Sequence, residues 1–251
     1  MKKLREIEDY WNQRARGFSL SVVEELEDDK KDQWLQLFKK YGMTERKLKV
    51  LDVGTGSGFF AVLLAQEGHD VTGIDYTPNM LKHAEETARK FNVKLDLRQM
   101  DAQNLEFEDE SFDLIVTRNL MWNLEFPEKA YREWIRVLKK GGKIINFDGN
   151  YYLHLHDDVY KEGYEKIEYV PDRQGHTKNN IDNVDFSIMR EIARELPMSS
   201  IRRPQWDVNT LVAMGVNSVS VDLSQGRKFA AMDQENNEIY LTSAFMICAE
   251  K

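Results

Sequence analysis

The chain has 251 residues, of which 41% are hydrophobic, 11% aromatic and 31% charged. That composition excludes a disordered chain and suits one α/β domain with an insertion better than two full domains. The formal net charge of -8 at pH 7 disfavours nucleic acid as a partner, because such binding rests on neutralising phosphates.

The longest apolar run, Phe59 to Ala65, is far short of the roughly 20 residues a membrane span needs. The first residues lack a signal-peptide pattern. A single Cys248 rules out an intrachain disulfide and reads as a buried strand residue. A cytoplasmic protein without membrane association is expected.

Residues 3–16 and 30–41 read as helices, the second stopping at Gly42, where a left-handed residue is expected. Then "KLKVLDVG", "GFFAVLLAQEG" and "DVTGID" form a β-α-β unit. Thr77 can cap the next helix, with Pro78 at its first position. The strand "VKLDLRQMD" follows, then the strand "SFDLIVTRN", a helix opened by Pro127, a stop at Gly141 and Gly142, and the strand "KIINFD". This alternation predicts an open, mostly parallel, doubly wound sheet.

From 149 to 205 the alternation breaks into aromatic, histidine and turn-rich sequence with one helix in "DNVDFSIMREIARELP". Within it "SIRRPQW" reads as a solvated loop. Asp207 can then cap "VNTLVAMG", and "SVSVDL" and "EIYLTSAFMICAE" are the last strands, separated by the turn "QENNE".

The glycines Gly54, Gly56 and Gly58 are spaced G-x-G-x-G. The dinucleotide fingerprint reserves for glycine the position held by Phe59, and a P-loop would end in Lys-Ser/Thr. Asp52, just before the turn, would repel a pyrophosphate at a helix N-terminus but could hold an ammonium group. Asp75, at the end of the second strand, stands where a carboxylate accepts from ribose hydroxyls. Asp101 can accept from an exocyclic amine, with the Ala102 N–H beside it. A ligand with an amino-acid end, a ribose and an adenine satisfies all three acids.

Taken in order, "VLDVGTGSG", "VTGIDYTPNML", "MDAQNLEFEDESFDLIVTRN" and "WIRVLKKGGKIINFD" resemble the class I S-adenosylmethionine-dependent methyltransferases over residues 46–148. The resemblance implies a Rossmann-like seven-stranded sheet with an antiparallel last strand. It implies S-adenosylmethionine as cofactor and S-adenosylhomocysteine as product. Asp52, Gly54 and Gly56 would meet the methionine part, Asp75 and Tyr76 the ribose and adenine, and Asp101, Ala102 and Gln103 the base. Arg118 and Asn119 would line the floor below the sulfonium. The parts would then be an N-terminal helical cover (1–45), the core (46–148), an inserted substrate lid (149–205) and a C-terminal helix and strands (206–251).

The acceptor, a small molecule on this reading, would lie beyond the ends of strands four and five. Asp148, His154 and His156 are candidate catalytic groups there; the two histidines would share a face if Leu155 lay on a strand, and a metal site on them is the weaker reading. Tyr10, Trp11, Phe18, Trp122 and Tyr151 are candidate substrate-binding residues, and Arg14 could meet the cofactor carboxylate. Tyr152 and Trp206 add aromatic surface. Met80 and Leu81 read as core, Gly58 as a close helix-strand contact and Asp113 as structural. The alternatives are a protein or nucleic-acid methyltransferase, or an inactive cofactor-binding sensor or scaffold. Against nucleic acid, the fourth strand lacks the Asn/Asp-Pro-Pro-aromatic motif of enzymes acting on base amino groups.

Overall fold

A computed structural model describes residues 2–168, 180–232, 235 and 237–251. Residues 169–179 of the insertion, and part of the turn expected at 234–238, lie outside them. Among the described residues one seven-stranded sheet carries the fold, in the order β3-β2-β1-β4-β5-β9-β6. Its strands are β1 (Lys49–Val53), β2 (Asp70–Asp75), β3 (Asp96–Gln99), β4 (Phe112–Arg118), β5 (Leu138–Gly149), β6 (Ser218–Asp222) and β9 (Ala244–Glu250). The pairs from β3 to β5 are parallel. β9 runs antiparallel to both β5 and β6, so the reversed last strand expected from the sequence is present.

Period-two alternation sends the two faces of each strand into separate cores. Leu51, Val53, Ile115 and Ile144 pack against Trp134 of α5 (Pro127–Val137) and Leu211 of α8 (Gln205–Ala213). Val50, Leu114, Val116 and Cys248 pack against Phe60 and Leu63 of α3 (Phe59–Gln66) and Phe38 of α2 (Lys31–Tyr41). Each apolar run sits between helical layers, which is why both faces of the central strands are largely apolar.

The first helix differs from its expected length. α1 runs unbroken from Lys2 to Glu27, past Gly17. A glycine inside a helix costs roughly 1 kcal/mol; burial of Val22 and Leu26 beyond it outweighs that. Gly42 is not left-handed, with φ at -151°. A Cβ there would stand 2.8 Å from Ile145 Cδ1, so close approach to the sheet accounts for it. Thr77 precedes α4 (Pro78–Lys90) in extended conformation, but its side chain makes no cap hydrogen bond.

The insertion holds α6 (Asp158–Lys166) and α7 (Ser187–Arg194). Asp157 caps α6 by accepting from the N–H groups of Val159 and Tyr160 and pairs with Arg202. The C-terminal part contains a strand the sequence analysis lacked, β7 (Lys228–Met232), in an antiparallel hairpin with β8 (Glu238–Thr242). Its Phe229 and Leu241 pack with Tyr160 and Tyr164 of α6, fastening the hairpin to the insertion.

The "SIRRPQW" segment corrects the expectation of a solvated loop. Arg203 is 1% exposed; its Nη1 bonds Asp148 at 2.7 Å and its Nη2 bonds Asp207 at 2.6 Å. Burial works against that charge, and Asp207 and Asp148 outweigh it, holding the guanidinium well above its usual pKa. Asp207 therefore sits inside the first turn of α8 as Arg203's partner and accepts from Tyr131 Oη; it is not a helix cap.

Candidate active site

Strand register lines up the expected cofactor residues. Val53 pairs with Ile74 on one side and Thr117 on the other, so one residue on, Gly54 stands between Asp75 of β2 and Arg118 of β4. Asp75 pairs with Gln99, and Asp101 follows two residues later. This is the crevice at the carboxyl ends where the strand order reverses, the usual ligand site of an open α/β sheet.

Between β1 and α3 the chain turns through three left-handed glycines. At Gly54 (φ 67°) a Cβ would meet Leu120 Cδ1 at 2.9 Å. At Gly58 (φ 91°) it would come within 3.3 Å of Ala84 Cβ; the close contact is with helix α4, not with a strand as expected. The turn is held by two acids. Asp52 Oδ2 accepts from Thr55 Oγ1 (2.6 Å) and from the Ala61 N–H (3.0 Å). Asp75 accepts from the Gly56 and Thr77 N–H groups, each at 2.9 Å. Burial pushes the Asp52 carboxyl up to about 7 against those donors, and burial likewise raises Asp75.

A cavity of about 630 Å³ opens on this turn, within the roughly 300–1,000 Å³ of small-molecule sites. Asp52, Gly54, Gly56, Asp75, Tyr76, Asp101, Ala102, Arg118 and Asn119 all line it. Gln103 does not; it is buried behind the acid, its N–H and Nε2 donating to Asp101 Oδ1. Within the described residues Asp52 Oδ1, Asp101 Oδ2 and the Ala102 N–H make no protein hydrogen bond. With the second lone pair on each Asp75 oxygen, these groups match an ammonium group, a ribose diol and an adenine edge, so the residues fit S-adenosylmethionine.

The same cavity continues onto an aromatic wall. Trp11 and Phe18 of α1, Trp122 and Tyr151 line it as expected, joined by Leu4 and Ile7 through the helical spacing of α1. Trp122 packs edge-on to Tyr151, with ring centroids 6.1 Å apart. The Tyr151 hydroxyl donates to Asn119 Oδ1 at 2.6 Å, and Asn119 itself is left-handed (φ 57°). Tyr10 is buried among Trp122 and Tyr152 and lies behind the lining. Arg14 turns away from the cofactor end, with Nη1 donating to Asn180 Oδ1.

None of the three candidate catalytic groups reaches the cavity. Asp148 is 2% exposed and both its oxygens are engaged, Oδ2 by Arg203 and the Trp122 N–H and Oδ1 by the Gly149 N–H. His154 lies in the 3-10 turn Leu153–Leu155, between the rings of Tyr152 and Tyr164. His156 faces the Arg194 carbonyl at 3.2 Å. A turn of three residues per revolution destroys the period-two face on which the pair was placed.

Sequence reasoning missed Glu25, which pairs with Arg118 in the cavity, and Gly226, Arg227 and Ser243, which flank the open end of the β7–β8 hairpin. The α1 spacing could have pointed to Glu25, which lies seven residues after Phe18. Those three left no local signal, because Arg227 and Ser243 are brought together only by the β7–β8 pairing.

Residues 51–146 match the family model of a methyltransferase domain. The chain is similar to the phosphatidylethanolamine N-methyltransferase of Cereibacter sphaeroides, 38% identical over 99 residues that make up 39% of this chain and 48% of that one. It is also similar to the demethylmenaquinone methyltransferase of Desulfitobacterium hafniense, 37% identical over 114 residues, 43% of each chain. It thus spans less than half the length of both relatives. A solved SAM-dependent methyltransferase from Methanosarcina mazei shares the fold, with a TM-score of 0.53 at 22% identity over 86% of this chain and 96% of that one.

Proposed function

We propose that the chain, whose residues 51–146 match the model of a methyltransferase domain, is a class I S-adenosylmethionine-dependent methyltransferase that transfers a methyl group from S-adenosylmethionine to a small-molecule acceptor seated against the aromatic wall. The observation that carries this reading is a single cavity joining Asp52, Asp75 and Asp101 to Trp11, Trp122 and Tyr151. S-adenosylmethionine supplies a methyl group on a sulfonium and leaves as S-adenosylhomocysteine.

The protein's part is placement. Asp75, fixed by the Gly56 and Thr77 N–H groups, keeps a lone pair on each oxygen for a ribose hydroxyl. Asp101 Oδ2 and the Ala102 N–H hold the base edge, and Gln103 fixes the rotamer of Asp101. Holding donor and acceptor in line converts a bimolecular step into a unimolecular one, which supplies most of the barrier reduction such a displacement needs. The aromatic wall excludes water from the reacting atoms.

Tyr151 Oη, already donating to Asn119, can accept a hydrogen bond from an acceptor O–H or N–H and orient its lone pair. Asp148 serves the scaffold, since Arg203 and two backbone donors occupy it. Methyl-labelled S-adenosylmethionine, incubated with the protein and fractionated cell metabolites, tests the reading. Label is expected in low-molecular-weight products; label in protein or nucleic acid, or none anywhere, contradicts it.

A further inference from the structure

Two oppositely charged residues of the cavity lining pair with each other: Arg118 at the end of β4 and Glu25 of α1, with Nη1 and Oε2 2.9 Å apart and each side chain 29% exposed. Both groups are held rigidly. The guanidinium lies 4.7 Å from the Trp34 ring centroid and 4.9 Å from that of Phe59, and Glu25 Oε1 accepts from Trp34 Nε1 at 3.1 Å. Among the described residues the remaining Arg118 donors make no protein hydrogen bond.

Strand register fixes which end of a ligand meets this pair. Asp75 and Asp101 lie on the β2 and β3 side of Gly54, and Arg118 lies on the β4 side. A nucleoside whose ribose and base occupy the first side has its 5′ substituent directed at the second. We propose that Glu25 and Arg118 together form the receptor for the zwitterionic amino-acid end of the cofactor, its carboxylate on Arg118 and its ammonium on Glu25. A fixed anion beside a fixed cation is the complement of an α-amino acid, and planar, stacked arginine suits a carboxylate.

Asp52 alone is a weaker partner for the ammonium, because it is 2% exposed while the Glu25 side chain in the same lining is 29% exposed. Glu25 belongs to α1, which also supplies Trp11 and Phe18 to the cavity. Occupation of the receptor therefore ties the N-terminal cover to the cofactor. A nucleoside without the amino-acid end leaves that tie unmade.

The inference rests on the cofactor reading above, and the test separates the two. The wild-type protein, Glu25→Gln and Arg118→Met are titrated calorimetrically with S-adenosylhomocysteine and with 5′-methylthioadenosine, which keeps the nucleoside and lacks the amino acid. Wild type should prefer S-adenosylhomocysteine, and each variant should lose roughly tenfold or more of that affinity, the scale of one charge-assisted hydrogen bond, while binding 5′-methylthioadenosine unchanged. Unchanged 5′-methylthioadenosine binding also certifies that a variant is folded. Retained preference for S-adenosylhomocysteine in both variants overturns the receptor and leaves the cofactor reading standing. Failure of the wild type to bind either nucleoside overturns both.

Discussion

The two halves of the cavity are assembled in opposite ways. The half proposed for the cofactor takes Asp52, Gly54, Asp75, Asp101 and Arg118 from strand ends of one parallel sheet, so position along the sequence maps onto position along the crevice. The half proposed for the acceptor takes Trp11 from α1, Trp122 from the turn after β4, Tyr151 from the start of the insertion and Arg227 from just before β7. Its geometry rests on a buried ion cluster that spans the chain: Arg203 joins Asp148 to Asp207, and Asp148 in turn accepts from the Trp122 N–H. One half is set by backbone register, and the other by side chains that must find each other across as many as 55 residues.

The largest effect should come from removing the cation of that cluster. Arg203→Met leaves two buried carboxylates facing each other, and urea unfolding should show a loss of about 3–5 kcal/mol. Below the midpoint, S-adenosylhomocysteine affinity should persist, because no cofactor-side hydrogen bond involves Arg203. A stability loss below about 1 kcal/mol would remove the distinction between the halves.

The next effect is a pH slope on the cofactor side. Burial holds the Asp52 carboxyl at about 7, against about 3.9 in an unfolded chain. Between those values the folded state keeps a proton that the unfolded state has lost, so ligand-free stability falls as pH rises from about 4 to 7. Asp52→Asn should remove its share of that slope, up to about 1.4 kcal/mol per pH unit, and Asp75, also raised by burial, retains the remainder. Parallel curves for the variant and wild type would mean the carboxyl ionises normally.

Smaller still, Trp122→Ala should raise the acceptor KM by roughly tenfold, the worth of one or two kcal/mol of lost aromatic contact. S-adenosylhomocysteine affinity should remain, so a loss in both would place Trp122 on the cofactor. His156→Ala should change neither methyl transfer nor stability by more than about 0.5 kcal/mol, the range of surface substitutions. A tenfold fall in turnover would restore His156 as a catalytic candidate.

This difference in assembly also governs what could be read from the sequence. Gly54, Asp75 and Asp101 announce themselves because a tight turn and a strand end have local signatures, and the structure brings them to one cavity. Asp148 was legible as a strand-end acid, but its partner is a loop arginine 55 residues away, so burial and neutralisation left no local trace. The pair His154 and His156 misled because "HLH" satisfies strand alternation as well as it fits a 3-10 turn. β7 escaped because "KFAAM" is short and alternates around small residues, and its partner "EIYLT" merges in sequence with the next strand across Ser243.

The central claim is that S-adenosylmethionine lies across these strand ends with its ribose on Asp75. Calorimetric titration of the wild-type and Asp75→Ala proteins with S-adenosylmethionine and with NAD measures it most directly. Saturable S-adenosylmethionine binding, weakened roughly 10- to 100-fold by the substitution, with no comparable affinity for NAD, is the predicted result. Tighter binding of NAD, or S-adenosylmethionine binding that ignores Asp75→Ala, would contradict it.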